Sequence, residues 1–123
     1  MKKAKNAPTP EQIEFFFKRV KHYQTLLNLN DWRIENSGRP AGRGCLADVG
    51  VSPEDQLAVV SVGADWGSMP ISEKTLNETA AHEVLHVFIR RLVDAAQSRD
   101  PSAIATAEHS VVVVLEKILT GDL

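Results

Sequence analysis

The sequence predicts an α+β domain: one helix, a short three-stranded sheet, then two packed helices that carry a metal site. Three observations predict it. Apolar residues recur at three- and four-residue steps up to Leu27 and again beyond Ser72. Between those segments, three short stretches alternate apolar and polar residues and are separated by turn-forming residues. At 123 residues, with 43% hydrophobic and 24% charged side chains, the chain has enough apolar material for one core.

Residues 1–8 are polar, include three lysines and read as a flexible tail, leaving a single domain over residues 9–121. Thr9-Pro10-Glu11-Gln12 is a helix start: threonine caps, proline occupies the first helical position, and Gln12 completes a capping box. Ile13, Phe16, Phe17, Val20, Tyr23, Leu26 and Leu27 form the apolar face of that helix, while Lys18, Arg19, Lys21 and His22 share its solvated side. Asn28 to Asp31 breaks it. Trp32 to Glu35, Cys45 to Val51 and Leu57 to Val62 are the three strands, with turns at Ser37–Gly44 and Ser52–Asp55. Trp32 reads as a core anchor, and Trp66, in the loop from Gly63 to Pro70, as a packing residue.

Ser72 caps a helix extending to about Gln97, and Asp100-Pro101 opens a last helix that ends at Gly121. The four valines Val111 to Val114 favour a strand by propensity. The surrounding period favours a helix, with Ile104, Val111, Val112, Leu115, Ile118 and Leu119 on one face.

Composition excludes several function classes. The net charge of −2 gives no electrostatic support for binding bare nucleic acid or an anionic membrane surface. Cys45, the one cysteine, cannot form an internal disulfide, and no paired cysteines suggest a zinc ribbon. The start MKKAKNAPTP has no apolar stretch behind its charges, so neither a signal peptide nor a membrane anchor is expected; the expected compartment is the cytoplasm.

The chemistry concentrates in Ala81 to Arg90, AHEVLHVFIR. His82 and His86 lie four residues apart, which on a helix places both imidazoles on one face, within reach of a single ion. Glu83 sits roughly 100° round from His82 and roughly 60° from His86, so it flanks that ion and can take a proton from metal-bound water. Ala81, Val84, Leu85, Phe88, Leu92 and Ala95 occupy another face, available for the core. A catalytic zinc site needs a third protein ligand. Glu108 is the leading candidate because it falls within the apolar stripe of the last helix, where a carboxylate is costly unless paired or metal-bound. In a hairpin turning near residues 97–100 it lies at a height similar to His86. His109, one residue on, is the alternative.

The HEVLH helix, preceded by TLNETAA and followed by AEHSVVVVLEKIL, resembles the zincin metallopeptidases. It is most similar to the small metallopeptidases of phage and prophage, within a group of minimal zincins that includes SprT-like and ImmA-type domains. The leading helix, the LNLNDWRIE segment and the short sheet before HEVLH match that layout over about residues 10–120, with HEVLH as the specific motif. The resemblance implies zinc on His82 and His86, Glu83 as general base and Glu108 in the third-ligand position. SprT-like domains usually take a third histidine, at a spacing that does not fit here, so His109 stays open.

The expected function is zinc-dependent hydrolysis of peptide bonds in a peptide or protein substrate, with Leu57 to Val62 as the sheet edge that pairs with substrate backbone. Arg90 is expected to make a surface ion pair. The alternative is a regulatory or interaction module in which a metal, or none, only stabilises the helix pair.

Overall fold

The computed structural model describes residues 5–121. Its elements run α1 (Pro10–Leu26), β1 (Arg33–Pro40), β2 (Ala47–Ser52), β3 (Leu57–Val62), α2 (Glu73–Ser98) and α3 (Pro101–Thr120). This is the α+β layout that the sequence predicts.

The capping box at the start of α1 is formed: Thr9 Oγ1 accepts from Gln12 N at 3.1 Å, and Gln12 Oε1 accepts from Thr9 N at 2.8 Å. The helix buries Phe16, Val20 and Gln24. Gln24 is a polar residue in the core, and its amide is satisfied by the carbonyls of Leu29 and Trp32, at 3.0 and 2.8 Å. Those two bonds fix the path from α1 into β1. Trp32 and Trp66 are both core residues.

The sheet has the order β1-β3-β2, with β3 parallel to β1 and antiparallel to β2. The strand expected to offer a free edge, Leu57 to Val62, is therefore the centre of the sheet. Both of its sides are paired, which suits its apolar sequence LAVVSV and the burial of Ala58, Val60 and Val62. The free edges belong to β1 and β2. β1 is also longer than expected, because Ser37 to Pro40 continue the strand past a register shift instead of turning. An edge strand tolerates Pro40, which has no N–H to donate, and Gly38 takes the positive φ of 72° that the irregularity requires.

Ser72 caps α2 and Asp100 caps α3; Asp100 Oδ1 accepts from Ser102 N at 3.0 Å. Val111 to Val114 are helical. The orientation of α3 differs from the expected one. Ala107 is buried and Val111, Val114 and Ile118 pack against the core, whereas Val112, Leu115 and Leu119 face outward. A small residue at the contact lets two helices approach closely, and Ala107 fills that role.

At the other end of the chain Asn6 is tied down. Its backbone N–H donates to Asp65 and its amide to the carbonyls of Gly67 and Met69, and its own carbonyl accepts from Trp66 N. The remainder of the expected tail, residues 1–4, lies outside the described residues. No helix among the described residues is long and apolar enough to cross a membrane.

Candidate metal centre

α2 positions the site by its own geometry. Its inward face buries Leu76, Ala80, Val84, Val87 and Phe88, which orients the whole cylinder and turns His82 and His86 to the flank beside β2. Leu85, expected in the core, is instead exposed, because it lies beyond the inward face on the opposite flank from Glu83. His82 and His86 are exposed. Their Nε2 atoms are 3.2 Å apart, with the rings at 80° and their centroids 4.8 Å apart.

At that distance one ring's Nε2–H can donate to the other's Nε2, and the separation also lies near that of two ligands on one ion. Two nitrogens each bound at 2.0–2.1 Å to one tetrahedral ion are held about 3.3–3.4 Å apart. The pair is thus already spaced for a shared ion, and two imidazoles suit a borderline cation such as zinc.

Glu83, between them in sequence, is only 5% exposed. It lines a cleft of about 610 Å³ together with the histidines, Ile89, Arg90 and Val93 of α2 and Ala47, Asp48, Val49 and Val51 of β2. Burial is the main cause that raises its pKa above the ordinary carboxylate value of 4.5; the two histidines oppose that rise and the Asp48 carboxylate adds to it. A buried carboxyl group with a raised pKa, facing a cleft beside two metal-spaced imidazoles, is equipped to accept and return a proton.

Arg90 points along the same flank, where its Nε donates to Asp94 Oδ1 at 3.0 Å. Asp48 lies on β2, and its Oδ2 accepts from Gly42 N at 2.8 Å, which secures the turn leading into that strand. Sequence reasoning missed Asp48. Nothing in the LADVGV stretch distinguishes it from an ordinary polar strand position until β2 is placed beside α2.

The structure brings together His82, Glu83 and His86, and it does not bring Glu108 to them. Glu108 is exposed on the outer side of α3, where it lines a separate depression with Ile104, Ala105, His109 and Val112. The reason is the rotation of α3: with Ala107 inward, the next residue is turned roughly 100° away. The apolar stripe that contained Glu108 is largely solvent-facing, so its carboxylate is not desolvated. His109 lines that depression and also the cleft between α2, α3 and the α1–β1 connection. Among the described residues, no group of three or more His, Cys, Asp or Glu side chains is placed to hold a metal ion. The described residues fit two of the protein ligands of a catalytic zinc site and supply no third.

No family model matches the chain, and no curated protein or solved structure matches it. Its functional reading rests on its own residues.

Proposed function

We propose that this protein is a zinc-dependent hydrolase of peptide bonds, with His82 and His86 as metal ligands and Glu83 as general base. The observation that carries the reading is the position of Glu83, buried against the imidazole pair yet lining the cleft. A zinc ion held by such a pair supplies a Lewis acid that lowers the pKa of water.

The chain's own residues account for the remaining steps. The free edge of β2 borders the cleft, so an extended substrate can pair with it and lie across Glu83. Val49, Val51, Ile89 and Val93 form apolar walls that reduce the water around the reacting groups. Glu83 takes a proton from the attacking water as its oxygen bonds to the scissile carbonyl carbon. It then passes that proton to the leaving nitrogen as the C–N bond breaks, giving a carboxylic acid and an amine. The third ligand expected from the sequence, Glu108, stands apart from the pair among the described residues.

The experiment is hydrolysis of an unfolded protein such as reduced casein by zinc-loaded protein, comparing the wild type with Glu83→Gln. Retained zinc with cleavage reduced at least about 100-fold supports the reading. Equal cleavage by both proteins, or none by the zinc-saturated wild type, overturns it.

One observation favours a second reading, a non-catalytic module whose metal only braces the helix: the described residues offer two ligands and no third. That reading gives no cleavage in either protein, and zinc that raises thermal stability equally in both.

A further inference from the structure

Lys74, Glu78, His82, His86, Arg90 and Asp94 recur every four residues along α2 and form one ridge of the helix surface. The histidine pair occupies its centre. At one end Lys74 Nζ lies 3.9 Å from the Glu78 carboxylate, and at the other Arg90 Nε donates to Asp94 at 3.0 Å. Followed in its two directions from the centre, the row meets opposite charges at matching positions. Glu78 lies one turn before the pair and Arg90 one turn after it; Lys74 and Asp94 stand in the same relation two turns out. A second copy laid antiparallel on this ridge, about a two-fold axis between His82 and His86, therefore sets Glu78 of each chain against Arg90 of the other. A parallel copy in register would set like charge against like.

The metal chemistry of the same ridge is incomplete in one chain. His82 and His86 are exposed with their Nε2 atoms 3.2 Å apart, and no group of three or more ligating side chains is placed to hold an ion among the described residues. A closed tetrahedral zinc site takes four protein ligands. The antiparallel arrangement brings the same two histidines of the second copy to the same point, and so supplies the two that are missing. Apolar surface accompanies the row. Leu85 and Ile89 each follow a histidine by three residues, and Val93 follows Ile89 by four; they are 41%, 41% and 42% exposed. A partner seated on the ridge takes part of that surface out of water.

We propose that two copies of this chain associate antiparallel through α2 and share one zinc ion held by His82 and His86 of each. Four imidazoles leave no coordination position for water, so this form is closed to hydrolysis. It forms while zinc is limiting; as zinc exceeds the chain, the ratio rises to one ion per protein. The inference rests on the zinc ligands of the hydrolase reading and makes no use of Glu83 as a base.

The test is sedimentation velocity of the full chain with half an equivalent of zinc, and again after a chelator is added, with X-ray absorption counting the imidazoles on the ion. A dimer that forms with zinc, parts with the chelator and carries about four imidazoles per ion is expected. Glu78→Arg weakens dimerisation at least about fivefold, and adding Arg90→Glu to it restores the wild-type value within about twofold. Glu83→Gln dimerises as the wild type does, which separates this result from the casein assay. A zinc-bound chain that stays monomeric, about two imidazoles per ion, or no rescue by the double reversal overturns the inference and leaves the hydrolase reading standing. No zinc uptake by the wild type overturns both. Should a charge-reversed variant fail to fold, the imidazole count and the zinc dependence of the wild type decide the question.

Discussion

His82 and His86 hold their Nε2 atoms 3.2 Å apart on one flank of α2, close to the separation that a shared tetrahedral ion imposes. The two rings need little movement to share an ion, so the folded chain should take up one zinc per protein. His82→Ala or His86→Ala should each weaken zinc binding more than about 100-fold while leaving the fold intact, because both side chains are exposed. Equilibrium dialysis with elemental analysis, with circular dichroism as the check on folding, measures both. Zinc retained by either variant would remove the pair from the site.

Glu108 and His109 separate two accounts of the third ligand. If Glu108 joins the site when metal binds, Glu108→Ala weakens zinc binding by at least about tenfold and His109→Ala does not. If the fold is unchanged by metal, neither substitution matters. The same dialysis measurement decides.

The raised pKa of Glu83 makes stability depend on pH with a definite sign. A carboxyl group whose folded pKa lies above its unfolded value binds more protons when folded, so its contribution is full below the unfolded value and is lost as pH rises through the folded one. Glu83→Gln removes that loss. In metal-free protein, the melting temperature of Glu83→Gln relative to wild type should therefore rise as pH increases from 4 toward neutrality. A difference that shrinks over that range would contradict the burial of this group.

Asp65 has the opposite sign. Its Oδ1 accepts from the backbone N–H of Gly67 at 2.9 Å and of Asn6 at 3.1 Å, and these bonds lower its pKa, that to Gly67 most. Its contribution to stability is present above the ordinary value of 3.8 and is lost as pH falls through the lower folded value. Asp65→Asn should thus be less stable than wild type at neutral pH, with the two curves converging in acid. It should also increase protease access to the segment around Asn6, which limited proteolysis detects.

Gly63 follows β3 where the chain passes close to the turn before β2. Its N–H donates to the Leu46 carbonyl at 2.7 Å, and a Cβ here would collide with the backbone oxygen of Cys45 and press on that of Leu46. Backbone cannot move aside as a flexible side chain can. Gly63→Ala should cost about 1–3 kcal/mol in urea unfolding. By displacing the turn into β2 it should also weaken whatever binds along that strand.

Local chemistry made much of this protein legible. Thr9, Ser72 and Asp100 mark helix starts because a capping side chain acts on backbone within three residues of itself, and each cap is present. The alternating stretches became strands for a similar reason: the pleat has a period of two wherever it is placed. The pairing of His82, Glu83 and His86 needed only the geometry of one helix.

What depended on partners distant in sequence was not legible. β3 became central, and β2 the edge beside the histidines, through pairing choices that no strand's own sequence encodes. α3 is apolar on more than one side, so its period establishes a helix without saying which side is inward. Packing of Ala107 decided that, turning Glu108 and the stripe of Val112, Leu115 and Leu119 outward. The sequence by itself determined the elements and the histidine pair, since both follow from interactions within a turn or two of chain. Only the tertiary structure decided how deeply Glu83 is buried, that Asp48 shares its cleft, and that Glu108 stands apart, because burial and long-range juxtaposition are properties of the packed core.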